Sequence, residues 1–461
     1  MSSQQHNDAA VDLADGFVDL ALLHNKYPER YPFLLESVAH GSVEARYDIL
    51  FAFPQASLVL GRNNKLTSTD LKIEGSDFLD NLDRCWQKNK QPSQQINDLP
   101  FLGGWFIYLG YELAQQVEPI LDLPISNDEA IAYAVRIPSA IIRDHVTQRG
   151  WVVSENNFQQ HILAMHEDIA QLENSPRELN KNLIQQIVEQ PEEDYLNAVE
   201  TIRRYIVEGD VFQVNLSRQW SVRLSENVTD FDLYHSLRNN NPAPFSGIAN
   251  YAGMTIISSS PERLVSVENG CVETRPIAGT RPRASELDTD QALSAELLAH
   301  PKERAEHIML IDLERNDMGR VCVPGSIDVN ELMVLESYTH VHHIVSNVRG
   351  QLRDDVTPGE VIKAVFPGGT ITGCPKVRCM EIIAELEKAP RGAYTGSMGY
   401  LNHNGDMDLN ILIRTMTRTD SQLNLRAGAG IVADSIANNE LEEARTKAKG
   451  LLRALGAGIV Q

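Results

Sequence analysis

Two pairs of glutamates, each spaced three residues apart, are the residues of this chain best suited to chemistry. In the run Lys302-Glu303-Arg304-Ala305-Glu306-His307, Glu303 and Glu306 share one face of any helix formed there. Glu440 and Glu443 repeat the spacing near the C-terminus, in Glu440-Leu441-Glu442-Glu443. Two such helices could aim carboxylates at one hard cation, and Mg2+ binds through a few carboxylate oxygens, water and substrate oxygens. Taken alone, each pair more often marks a solvated helix face.

Two small-residue segments could hold an anion or let a ligand approach the backbone. Phe366-Pro367-Gly368-Gly369-Thr370-Ile371-Thr372-Gly373-Cys374-Pro375-Lys376 is a Gly/Thr loop running into a helix, with Pro375 suited to its first turn. Free N–H groups at that helix start favour a carboxylate. The segment is not a phosphate-binding P-loop, because Cys374-Pro375 breaks the pattern. In Ala427-Gly428-Ala429-Gly430-Ile431 the small side chains permit close approach, by a ligand or by another strand. Isolated candidates complete the set: Glu262 after Ser260-Pro261, the His342-His343 pair, and Arg414 in a strand-like run. Histidine is the usual acid–base group at neutral pH, and arginine can fork a carboxylate. There is no Gly-x-Ser-x-Gly elbow, dinucleotide fingerprint or His-x-x-x-His zinc pair.

The elements that must position these residues follow from the hydrophobic pattern. Residues 1–14 read as a polar, frayed terminus, and 15–172 as a mixed region with strands near Tyr47–Phe53, Ser57–Leu60, Phe101–Leu109 and Ile137–Arg143. Gln87–Asn97 reads as a polar loop. A polar stretch over 173–190 separates this region from a second one over 191–456. There, helices are expected at Pro191–Glu208, Asp288–Ala299, Lys302–Leu313, Pro358–Ala364, Pro375–Leu386 and Asn438–Leu455. Strands are expected at Val211–Trp220, Thr255–Ser259, Leu264–Val267, Ile344–Val348, Gly399–Leu401, Leu409–Arg414 and Asn424–Ala427. Strands joined by both turns and helices imply a mixed α/β (α+β) architecture.

Composition narrows the function classes. The 461 residues suffice for a large core, and 41 basic against 63 acidic residues give a net charge of −22. Such a surface repels phosphate backbones and anionic lipid, so neither nucleic acid nor membrane is an expected partner. No run of about 18 apolar residues is present. The five cysteines are odd in number and irregularly spaced, as reduced thiols in a cytoplasmic protein would be, and the N-terminus lacks the features of a signal peptide.

Together these segments resemble one family. PIAGTRPR (276–283), KERAEHIMLIDLERNDMGR (302–320), FPGGTITGCPKVRCMEII (366–383) and GAGIVADS (428–435) are similar to the chorismate-utilising enzymes, which include the large subunits of anthranilate and aminodeoxychorismate synthases and the isochorismate and salicylate synthases. The resemblance implies two β-sheets packed on each other with helices outside. It implies that Glu306 and Glu443 bind Mg2+, with Glu303 and Glu440 in the same cluster, and that the metal holds the ring carboxylate of chorismate. Thr370, Tyr394, Arg414, Gly428, Gly430 and Lys376 match substrate-binding positions, with Arg414 on the enolpyruvyl carboxylate. Glu262 matches an acid that protonates the departing 4-hydroxyl, and His343 a catalytic histidine near the ring. Ser37, in Leu34-Leu35-Glu36-Ser37, together with Pro244 and Phe245, matches a tryptophan site.

Two positions bear on the nucleophile. The family's water-adding members carry a base, lysine, where this chain has Gln213, so the resemblance implies ammonia as the nucleophile. Enteric members that aminate C4 carry a nucleophilic lysine where this chain has Ala278, as C2-aminating members do. ARYDIL (45–50), FQVNLSR (212–218), VHHIVS (341–346) and GGTITGCPKVRCM (368–380) are more similar to the C4-aminating group. C4 amination is therefore the expectation, and C2 amination with loss of pyruvate the alternative. A separate glutamine amidotransferase subunit is expected to supply ammonia, since no glutaminase cysteine elbow is visible and the length leaves no room for a fused one.

Overall fold

In the computed structural model, alternation of side chains along the strands builds a two-sheet sandwich. In Phe33–Glu36 and Tyr47–Ala52, Phe33, Ile49 and Phe51 point to one face while Leu34, Leu50 and Ala52 point to the other. In Gly104–Leu109, Phe106 and Tyr108 face the first group, and Trp105, Ile107 and Leu109 face away. This period of two gives three apolar layers. The middle layer lies between the sheets and includes the stacked pair Phe33–Phe106, with ring centroids 4.0 Å apart. The outer layers lie beneath the flanking helices. The structure describes residues 9–13, 18–39, 45–91, 98–125, 130–172, 179–284, 286–337 and 341–457.

The strand pairs named are antiparallel. One sheet of 12 strands runs in the order Ala9–Leu13, Arg149–Ser154, Ser139–Asp144, Tyr47–Ala52, Phe33–Glu36, Phe245–Tyr251, Met254–Ser260, Thr415–Thr419, Gln422–Ile431, Gln213–Leu224 and Ile184–Glu189, with the short strand Gly373–Cys374 pairing off Gln213–Leu224. The other sheet, of 11 strands, runs from Ile277–Pro282 through Val341–Gln351, Cys271–Thr274, Arg263–Glu268, Met407–Asn410, Ser397–Asn402, Gly104–Leu109 and Ala132–Ile137 to Ser57–Leu60 and Leu66–Thr69. Asp328–Ser337 pairs beside Val341–Gln351. Each sheet therefore mixes strands from both halves of the chain. Phe33–Glu36 lies directly against Phe245–Tyr251, and Gly104–Leu109 against Ser397–Asn402.

The helices that carry candidate residues have clear local causes. Pro301–Met318 starts with proline in its first turn, and the His300 ring accepts from the Glu303 N–H at 3.5 Å. Pro358–Val365 starts with a capping box in which Thr357 and Glu360 exchange hydrogen bonds. Glu192–Glu208 has three acidic residues in its first turn and ends at Gly209, whose φ of 90° suits glycine.

Several sequence expectations need correction. Ala9–Leu13 is not frayed: it pairs in register with Arg149–Ser154, while the rest of that terminus up to residue 17 lies outside the described residues. The Phe78–Asn89 helix takes the first part of the expected 87–97 loop, because Asp77 caps its start and Phe78, Leu82 and Trp86 bury one face. Within 173–190, Ile184–Glu189 is an edge strand against Gln213–Leu224, and 173–178 lie outside the described residues. The expected strand 409–414 ends at Asn410. Beyond it the chain leaves one sheet for the other, and Arg414 adopts a left-handed φ of 51°.

Candidate functional site

Most of the predicted site residues sit where the two sheets, the Gly/Thr loop and two helices come together. Gln213 is buried at the start of its strand and donates from Nε2 to Glu306 Oε1 at 3.0 Å, while its own Oε1 has no partner among the described residues. The facing strand makes room for this amide. Gly430 lies beside Gln213, and a Cβ there would stand 2.4 Å from Nε2. A Cβ on Gly428 would stand 2.2 Å from the Leu216 carbonyl oxygen. These two glycines thus serve close strand packing, and through it the position of Gln213.

Glu306 is the centre of an acidic group. Burial, with Glu303 and Glu443 nearby, holds its carboxyl above the usual range, against the Gln213 hydrogen bond and the Lys447 charge. Glu303 pairs with Arg281 at 3.2 Å. Glu443 pairs with Lys447 one turn along its helix at 2.9 Å. About half of each of these two side chains is open to solvent. Yet Lys447 is hemmed in by protein: burial works against its charge, and Glu443, Tyr394 and Glu306 more than offset this. Such residues line an open cleft rather than an outer surface. Glu440, on the same helix face, has its carbonyl 3.5 Å from the Tyr195 hydroxyl.

On the other side of the cleft, Glu262 is buried, and its Oε1 has no partner among the described residues. Burial pushes its carboxyl up to about 7, opposed by Thr370, the Ile277 N–H, Lys447 and Arg414. Thr370 Oγ1 has no well-formed hydrogen bond, so its influence on Glu262 is one of proximity. The Thr370 carbonyl is held by Asn215 Nδ2 at 2.7 Å. Among the described residues, Arg414 makes no side-chain hydrogen bond or ion pair, and burial holds its guanidinium below the usual range while Glu262 opposes. Burial and Arg414 push His343 down to about 4, so its ring is neutral at physiological pH. Ala278 is buried opposite Ile344 and supplies no amine. Burial raises the Tyr394 phenol, and the Arg391 guanidinium lies 5.6 Å from its ring.

Some candidates lie elsewhere. Lys376 does not face the cleft. Its ammonium pairs with the buried Asp317 and donates to the Val365 carbonyl at 3.3 Å, because burying either charge alone would be costly. His342 is held between Ser337 Oγ at 2.7 Å and Asp290 at 3.0 Å, a structural role. Ser37, Pro244 and Phe245 form a separate group. The Ser37 N–H donates to Asp48 at 2.8 Å, the Val38 N–H reaches the Ala243 carbonyl, and Arg263 lies 5.2 Å from the Phe245 ring. Sequence reasoning missed Lys447, whose only signal was a lysine four residues after Glu443. It also missed Asn215, in a strand that carried Gln213 two residues earlier.

The donor set suits a hard cation. It contains oxygen atoms only, its acidic members repel one another, and the buried Gln213 Oε1 beside Glu306 is orphaned. Among the described residues, no three His, Cys, Asp or Glu side chains close a metal shell by themselves. That is compatible with Mg2+, which keeps waters and takes substrate oxygens. The rest of the cleft offers one unpaired guanidinium, an ammonium, a neutral imidazole and a carboxylic acid that still holds a proton near neutrality. This set fits a small, multiply anionic substrate with a leaving group that needs a proton.

Comparison with known proteins shows the family: residues 36–453 match the one described as chorismate binding enzyme, and the chain belongs to it. The aminodeoxychorismate synthase component 1 of Bacillus subtilis is 42% identical over 381 residues, covering 80% of this chain and 80% of the relative. The anthranilate synthase component 1 of Acetivibrio thermocellus is 38% identical over 450 residues, covering 92% and 90%. The crystal structure of anthranilate synthase component I from Streptococcus pneumoniae superposes with a TM-score of 0.80 at 33% identity, covering 89% of this chain and 93% of that one. The fold is thus the expected pair of packed sheets flanked by helices. No helix among the described residues is long and apolar enough to cross a membrane.

Proposed function

We propose that this protein aminates chorismate at C4, forming 4-amino-4-deoxychorismate with ammonia supplied by a separate glutamine amidotransferase subunit. The observation that carries the choice of nucleophile is Gln213. A carboxamide hydrogen-bonded to Glu306 cannot act as the base that would activate water, so ammonia, already nucleophilic, is the incoming group. Arg414 would fork the enolpyruvyl carboxylate, a role supported by its buried guanidinium. Glu262 donates its proton to the 4-hydroxyl, which departs as water, and the neutral His343 lies beside the ring. Glu306 and Glu443, with Glu303 and Glu440 behind them, would hold Mg2+. The ion would supply positive charge for the ring carboxylate in a protein of net charge −22.

A second reading is C2 amination with loss of pyruvate, giving anthranilate. Ala278 favours it, since no lysine is available there as a covalent nucleophile, and relatives of comparable identity bear both names. One assay separates the two. The protein is incubated with chorismate, Mg2+ and ammonium salt, with and without a lyase that converts aminodeoxychorismate to 4-aminobenzoate. The expected result is 4-aminobenzoate only when the lyase is present. Fluorescent anthranilate formed without it would overturn the C4 reading.

A further inference from the structure

A second buried carboxyl stands behind the Gly/Thr loop. Glu314 lies on the Pro301–Met318 helix, beyond Glu303 and Glu306, and is only 5% exposed. The loop residues Gly368–Thr370 are packed between it and Glu262. On one side, a Cβ on Gly369 would stand 3.1 Å from Glu314 Oε1 and 2.5 Å from Leu313 Cδ2. On the other, a Cβ on Gly368 would stand 3.0 Å from Ile411 and 3.3 Å from Leu264, and the Ile411 N–H donates to the Glu262 carbonyl at 2.9 Å. Thus Glu314 Oε1 lies against Gly369, and the Glu262 carboxyl lies against Thr370, the next residue of the same short segment.

The charges facing each group are few. Glu314 is faced by Asp317 on its own helix, by Lys376 at the start of the Lys376–Glu387 helix and by Glu262, with the Gly369 N–H as its backbone donor. Lys376 is already committed to Asp317. Glu262 is faced by Thr370, Arg414 and Lys447. Burial holds Glu314, like Glu262, up to about 7, and Asp317 and Glu262 add to it. Two carboxyls in a poorly solvated site cannot both ionise cheaply, so a charge on one disfavours a charge on the other.

We propose that Glu314 is a positioning residue for this reaction: across the Gly369-Thr370 segment it sets how long Glu262 keeps the proton that it delivers to the departing hydroxyl. The inference rests on the reading of Glu262 as the acid. It needs no contact between Glu314 and substrate.

The test is the pH profile of kcat at saturating chorismate and Mg2+, with enough ammonium salt that free ammonia saturates at every pH. Glu314→Gln keeps the shape of the side chain but removes the charge. Without that repulsion Glu262 ionises more readily, so the alkaline limb should move to lower pH by about 0.5–1 unit, with kcat on the acid side nearly unchanged. Glu314→Asp keeps a charge but retracts it, and should move the limb less in the same direction. It serves as the readout if the Gln variant fails to fold. A limb that stays in place in whichever variants fold overturns the inference. Glu262→Gln separates this from the underlying reading. If it abolishes turnover while the Glu314 profiles match the parent, only the role of Glu314 falls. If it retains the parent rate and alkaline limb, the role of Glu262 falls with it.

Discussion

Glu306→Gln changes one atom and keeps an acceptor for the Gln213 amide, so it separates charge from shape. Turnover should fall by about 10³-fold, several kcal/mol of lost charge stabilisation, and saturating Mg2+ should not restore it. Unfolding temperature should hold or rise, because a carboxylate crowded by Glu303 and Glu443 has been removed. Unchanged kcat would dismiss the metal role. The candidate residues were unevenly legible in the sequence. Glu306 belongs to a block that resembles the family, Glu443 repeats its spacing on another helix, and Glu262 stood out only as an isolated acid after Ser260-Pro261. Lys447 was hidden because a glutamate followed four residues later by a lysine is the commonest solvated pair on a helix. Lys376 misled in the opposite sense: it follows the loop that carries Thr370, but Asp317, 59 residues earlier, claims its charge.

At the scale of elements, the fit between the strands Gln213–Leu224 and Gln422–Ile431 holds the Gln213–Glu306 contact in place. Gly430→Ala would press a methyl group into the Gln213 amide. Overpacking there should cost about 1–3 kcal/mol of stability, read by urea unfolding. It should also lower kcat more than Gly253→Ala, which strains a left-handed turn (φ 78°) but presses on no neighbouring atom. Equal losses of kcat at the two sites would mean that the strand crossing does not position the amide. Helices were legible because Pro301, Thr357 and Gly209 mark their ends in sequence. The path after Asn410 was not. Its apolar residues look like a continuing strand, and only the crossing from one sheet to the other forces Arg414 into a left-handed backbone.

Across the whole molecule, the middle apolar layer joins the two sheets. Phe106→Ala removes a ring stacked on Phe33 and edge-on to Phe51, and should cost about 3–5 kcal/mol in denaturant unfolding, without direct contact with the cleft. A loss below about 1 kcal/mol would mean that the sheets are held mainly by their outer helices. Buried acids give a second prediction. Burial raises Glu36, Glu112, Glu262 and Glu314 to about 7, so between pH 6.5 and 7.5 the folded chain binds more protons than the unfolded one. Stability must then fall as pH rises through that window. His307 and His343, lowered to about 4, act in the opposite direction, but their unfolded rings are at most half protonated across this window, so the four acids outweigh them. A melting temperature that rises from pH 6.5 to 7.5 would contradict this. The alternating patterns of single strands were legible in the sequence, but their partners were not. Nothing in the composition of Phe33–Glu36 indicates that its neighbour lies some 200 residues downstream.

That pairing also governs how the protein is made. A ribosome adding about 5–20 residues per second needs roughly 10–40 s to pass from Glu36 to Phe245. Throughout that interval the edge of Phe33–Glu36 that Phe245–Tyr251 will cover has no native partner, and the strand is apolar on both faces. Gly104–Leu109 waits longer still, for Ser397–Asn402. The newborn N-terminal half is thus a set of sticky open edges that only the second half can close. Yield in the cell should depend on whatever shields those edges during synthesis, and a chain truncated before residue 245 should aggregate rather than fold.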